Sequence, residues 1–227
     1  MKILYLNYLD IAEHRNWVKQ LTTQLNRDFL EVEPANSKFN LSELDNYCDE
    51  NEVDMLFVSC RNDRSTVQHI LDNCRTLRLP YCFLTDTMRH IRPLEHILLP
   101  VSMLEEEIHK TELTQHLVRF TGTQVTILQA NDYGSHAKRN VEKILTSLSQ
   151  RSIQPAVYKA KKDSFRLNKE ASECAKDYSA DALLLTASRE YGLDDLLFGP
   201  QERYAILHSY CPVFLLNPRA DLYSLCD

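Results

Sequence analysis

Glu105, His109, Glu112 and His116 follow one another at intervals of four, three and four residues. On a helix this spacing puts them on one face, where each i, i+4 pair offers two metal ligands. One straight helix cannot close a tetrahedral site by itself, so the stretch reads as a solvated polar face and no metal is expected. Ser59, Cys60 and Asp63 follow the apolar run DMLFV. They fall at the carboxyl end of a predicted strand, where α/β sheets hold ligands. A thiol is reactive only as an accessible thiolate, and Cys60 sits in an apolar VSC context that reads as packing. No G-x-S-x-G, H-E-x-x-H or Walker A sequence is present. With no acid–base pair or activated nucleophile to name, the chain is not expected to be an enzyme.

Seven cysteines stand at 48, 60, 74, 82, 174, 211 and 226, with no C-x-x-C pair and no histidine cluster beside them. That pattern predicts free thiols in a reducing cytoplasm. Glycine is scarce: Gly122, Gly134, Gly192 and Gly199 are the only four, and none lies in the first half. Phosphates need close backbone approach, which glycine permits, so the first half holds no glycine-rich phosphate cradle.

The 227 residues suffice for one large domain or two small ones. Apolar residues make up 44% and charged residues 26%, and the formal net charge is -6. No basic patch stands out, which argues against nucleic acid or an anionic membrane as partner. No apolar run is long enough to span a bilayer. The opening MKILYLNYLD breaks at Asp10 without a cleavage signature and reads as a first strand.

The elements that would position these residues alternate. KILYLN, the stretch at 29–32, VDMLFVSC and YCFLT read as strands. Helical spacing marks Trp17 to Leu25, Phe39 to Tyr47 and Val67 to Leu77 between them. The second half repeats the pattern with strands HILLPV, QVTILQA, QPAVYKA, DALLLTA and PVFLLN. Its helices are predicted over Leu104–Phe120 with Gly122 as cap, Val141–Leu148, Leu167–Tyr178 and around Tyr204–Leu207. This alternation predicts an α/β fold of parallel sheets with helices on both faces. Each half opens with a K/H-I-L strand, carries an Asp-led apolar strand at Asp54 or Asp181, and ends in LPYCFL or CPVFLL. That similarity predicts two tandem units, 1–92 and 93–227, the first shortened.

The stretch from His96 to Asn217 resembles the universal stress protein family. ILLPVSMLEEE is similar to the family's opening, and ADALLLTASREYGLDDLLFGPQERYAILHSYCPVFLLN to its ending. Cys211, Pro212 and Val213 are a family mark. The resemblance implies an adenine nucleotide alpha hydrolase-like fold and, in ATP-binding members, the loop Gly-x2-Gly-x9-Gly-Ser/Thr. The matching positions here are Thr186, Arg189, Gly199 and Pro200. Arg189 fills the path of the backbone, and Pro200 removes a hydroxyl and an amide donor. The family's aspartate after the first strand is Ser102 here, and in the first half that position falls at Asn7 or Tyr8. Asp194 and Asp195 add charge that repels a triphosphate.

The resemblance therefore implies a stress-linked, non-enzymatic regulatory or interaction protein with no ATP cofactor of the usual kind. The alternative is a small-ligand or nucleotide binder using the 186–200 loop, with Arg189 holding an anion. In the family the last strand joins two copies. Here Val213, Phe214, Leu215 and Leu216 are expected either to meet a partner chain or to pair with PYCFLTD inside one chain as a pseudo-dimer.

Overall fold

A computed structural model describes residues 1–34, 39–188 and 200–218. Their strands form one sheet. The first half supplies β1 (Lys2–Asn7), β2 (Asp28–Val32), β3 (Val53–Cys60) and β4 (Tyr81–Thr85). The second supplies β5 (His96–Val101), β6 (Gln124–Gln129), β7 (Ala156–Lys159), β8 (Ala182–Thr186) and β9 (Val213–Leu216). Their order across the sheet is β2-β1-β3-β4-β9-β8-β5-β6-β7. All neighbours run parallel except β4 and β9. The α/β class expected from the alternation is present, with the strands of both halves in one continuous sheet.

The β4–β9 seam pairs Tyr81 with Leu215, Cys82 with Phe214 and Phe83 with Val213. The expected contact between PYCFLTD and PVFLLN is thus made inside the chain. β9 also pairs with β8 from Val213 to Leu216, and all four of its residues are buried. Of the two arrangements expected for Val213, Phe214, Leu215 and Leu216, the structure holds the pairing inside the chain. Val213, Phe214 and Leu215 lie between two paired strands, so that stretch has no open edge.

Side chains alternate across the sheet as the pleat requires. Ile3 and Tyr5 face one core and Leu4 and Leu6 the other. The first core is closed by α1 (Ala12–Gln24), α4 (Lys110–Thr121) and α5 (His136–Ser149). The second is closed by α2 (Leu44–Glu50), α3 (Arg64–Cys74), α6 (Leu167–Cys174) and α7 (Gln201–His208). Helices α3 and α7, from different halves, pack together over the seam, and Arg203 donates to Gln68 at 2.8 Å. On the opposite face Trp17 meets Phe57 edge-on at 5.8 Å, and Phe57 meets Phe214 likewise at 5.8 Å. The Phe57–Phe214 pair spans the seam, and each of the two pairs adds about 0.5–1.5 kcal/mol beyond its buried area.

Local chemistry explains where several elements stop and start. Asp63 caps α3 by accepting from the Thr66 amide at 2.9 Å. Gly122 ends α4 at φ 72, the left-handed cap its position predicts. The helix expected from Leu104 is instead a 3₁₀ turn, Glu105–His109, followed by α4, because Glu107 turns inward. The helix expected to reach Tyr178 ends at Cys174, and Ser179 adopts φ 54 in the following turn. β7 is an edge strand, exposed at all four positions. Lys159 on it and Lys161 and Lys162 just after it discourage addition of a further strand.

Candidate functional site

Ser102 follows β5 and Thr186 ends β8, which is the neighbour of β5 on the side away from β6. The chain changes direction between these strands, and the crevice over their carboxyl ends is where a doubly wound sheet holds a ligand. The structure brings Ser102 and Thr186 together there. The link between them is Glu107, a residue the sequence did not single out.

Glu107 Oε1 accepts from the Ser102 amide at 3.1 Å and from the Ser102 hydroxyl at 2.5 Å. Its Oε2 accepts from the Thr186 hydroxyl at 3.1 Å and pairs with the Lys110 ammonium. Lys110 Nζ also donates to the Pro100 carbonyl. Glu107 is 4% exposed and Lys110 1%, so the pair is closed to solvent. Burial pushes the Lys110 pKa down, and the Glu107 carboxylate opposes that shift. Asn140 completes the floor by donating to the carbonyls of Ser102 at 3.0 Å and Leu104 at 2.7 Å.

A second carboxylate serves the far wall. Glu202, also buried, accepts from the Ser188 amide at 3.0 Å and the Ser188 hydroxyl at 2.8 Å. Pro200 is the N-terminal cap of α7, and its carbonyl accepts from the Arg203 amide at 3.1 Å. Arg189 and Gly199 lie outside the described residues, as do Asp194 and Asp195. The same device recurs along this rim. Asp132 accepts from the Ser164 amide at 2.8 Å, and Glu170 from the amides of Lys161 and Lys162 at 2.8 and 2.7 Å. Backbone amides at strand ends are the groups that would hold a phosphate. Here the chain's own carboxylates hold them.

The equivalent place in the first half lies over β1 and β3. Asn7 donates to Glu31 at 2.9 Å and accepts from the Asp10 amide at 2.9 Å. His14 Nδ1 lies 2.7 Å from the Ser59 hydroxyl and Nε2 lies 3.3 Å from the Met88 carbonyl. A carbonyl only accepts, so Nε2 carries the proton and Nδ1 accepts from Ser59. Burial lowers the His14 pKa, which matches this neutral form. A serine beside a histidine has the look of a nucleophile and its base. Both are sealed, His14 at 1% and Ser59 at 0% exposure, so no substrate reaches the hydroxyl. Cys60, next in sequence, is buried too, and burial pushes its thiol up to about 12. It is packing, not a reactive thiol.

Outside this sealed pair lies an open crevice of about 640 Å³. Tyr8 after β1, Arg61 after β3, Phe39, and Ser65, His69 and Ile70 of α3 line it. A smaller hollow of about 390 Å³ lies on the other side of Phe39, against Tyr47, Glu43 and Glu50. Of these lining residues the sequence offered only Tyr8 as a site position.

The four residues with metal-ligand spacing do not share one helical face. Glu105 and His109 are in the 3₁₀ turn, while Glu112 and His116 are in α4, where the His116 ring packs 4.9 Å from Phe120. Among the described residues no group of three or more His, Cys, Asp and Glu side chains is placed to hold a metal ion. Nor is any described helix long and apolar enough to cross a membrane.

No family model and no curated protein matches the sequence. Solved structures do match. A universal stress protein from Archaeoglobus fulgidus DSM 4304 superposes with a TM-score of 0.66 at 11% identity, over 97% of this chain and 88% of that one. A functionally unknown protein from Pseudomonas aeruginosa PAO1 superposes with a TM-score of 0.57 at 11% identity, over 97% and 82%. The chain has the universal stress protein fold.

Proposed function

We propose that this chain is a non-enzymatic regulatory or interaction protein of the universal stress protein type, working without ATP in its second-half crevice. The observation that carries this reading is the position of Glu107. Its carboxylate accepts from Ser102 and Thr186 in the crevice where a nucleotide's phosphates would need those donors. Bringing a polyphosphate against it would set like charges together in a poorly solvated place. The Ser188 amide, on the far wall, is taken by Glu202 in the same way.

The tandem reading, 1–92 and 93–227, draws support from strand order. β2-β1-β3-β4 in one half matches β6-β5-β8-β9 in the other, and β7 has no counterpart in the shorter first half. A cytoplasmic location is in keeping with the described cysteines, which are all free.

A thermal-shift titration tests the reading. Mg²⁺–ATP in large excess is expected to leave the melting temperature unchanged, since only a ligand that binds the folded state raises it. Saturable ATP binding that weakens in Thr186→Val would overturn it.

A further inference from the structure

We propose that the first-half crevice is a binding site for a small organic carboxylate with an aromatic body, its head held by Arg61 and His69 and its ring lying between Tyr8 and Phe39. This goes beyond the reading above and stands or falls separately from it, because it concerns the other half of the sheet.

The first support is size and place. The crevice measures about 640 Å³ and opens over the carboxyl ends of β1 and β3, adjacent strands from which the chain departs in opposite directions. Small-molecule sites fall in the range of roughly 300–1,000 Å³ and favour such switch points.

The second support is charge. The chain is net acidic at -6, yet among the described residues the walls of this crevice include Arg61 and His69 and no carboxylate. Arg61 is 70% exposed at its side chain, and its one ionic contact among the described residues is through Nε, 3.6 Å from Asp63. Its two terminal nitrogens remain able to grip a carboxylate side-on. His69 lies one turn beyond Ser65 on α3, so both present to the same side.

The third support is what the crevice lacks. No glycine lies in the first half, and Asp63 already accepts from the Thr66 amide and hydroxyl at the start of α3. Two backbone donors there, the amides of Thr66 and Asn62, are therefore committed to the chain's own carboxylates. One arginine and one histidine suit a single negative charge. The apolar share of the walls, Tyr8, Phe39 and Ile70 among them, suits a ring.

Isothermal titration of the full chain with three probes tests this: 1-naphthylacetate, its neutral amide 1-naphthylacetamide, and Mg²⁺–ATP. The acid is expected to bind saturably with a Kd below about 1 mM, and the amide at least about tenfold more weakly. Arg61→Gln, an exposed change that spares the core, is expected to erase that preference. Amide resonances of Thr66 and His69 are expected to move on adding the acid. Absence of saturable binding, equal affinity for acid and amide, or an unchanged preference in Arg61→Gln would each overturn the assignment. So would ATP binding here more tightly than the acid.

Discussion

Lys110 and Glu107 form an ion pair whose side chains are 1% and 5% exposed, a cation and an anion closed together beneath the second-half crevice. Such a pair costs desolvation on both sides, and it is retained only with good geometry and further hydrogen bonds. Here Pro100, Ser102 and Thr186 supply them.

Removing one partner strands the other. Lys110→Met is expected to destabilise the fold by about 3–5 kcal/mol, because Glu107 is left charged and buried. Adding Glu107→Gln to that variant is expected to recover part of the loss. A double-mutant cycle measured by urea unfolding gives the coupling, and strict additivity would show that the pair does not act as a unit.

Stability is expected to fall on mild acidification through His14. Its folded pKa is lowered by burial, so below the ordinary value near 6.5 the unfolded chain binds the extra proton first. The folded state is therefore at full advantage above about pH 6.5 and loses ground as the pH drops toward the lowered value. His116, whose pKa burial also lowers, adds to the same limb. Urea midpoints at about pH 7.5 and about pH 5.5 should show the drop, and His14→Asn should shrink it without abolishing it.

Asn217 fastens the end of β9 to the first half. It accepts from the Tyr81 hydroxyl at 2.9 Å and donates to the carbonyls of Cys74 and Leu77 at 2.8 and 2.9 Å, all in the interior. Asn217→Ala removes these three buried bonds and should cost about 2–3 kcal/mol. A chemical-denaturation midpoint close to that of the parent would rule this out.

The buried thiols should be inert in the folded protein. Burial pushes Cys48, Cys60 and Cys211 up to about 12. Cys174 is less covered, and its value rises to about 11. Of the six described cysteines, Cys174 is expected to alkylate first with iodoacetamide, the others only on unfolding. Peptide mass spectrometry over a time course reads the order.

The fold was readable where burial leaves a continuous trace in the letters. VDMLFVSC is covered on both faces, and a parallel strand in that position is an unbroken apolar run. The similarity of LPYCFL and CPVFLL likewise foretold the seam between Tyr81 and Leu215. Ser102 and Thr186 were found through the resemblance and do meet. Glu107 was hidden because three glutamates in succession look alike until tertiary packing turns one inward. The first-half crevice was hidden for a related reason. Tyr8, Phe39, Arg61 and His69 come from separate elements at no characteristic spacing, and only the sheet order gathers them.

The antiparallel seam has a bearing on how the molecule withstands damage. The connector between β4 and β5 exposes Arg89 and His90, an inviting place for a protease. A cut there would not release two fragments. The upstream piece would keep β4 bonded to β9 of the downstream piece, Trp17 would still reach the Arg92 carbonyl, and α3 would still lie against α7. The nicked molecule would stay whole, held by the shared sheet after the covalent link between its halves had gone.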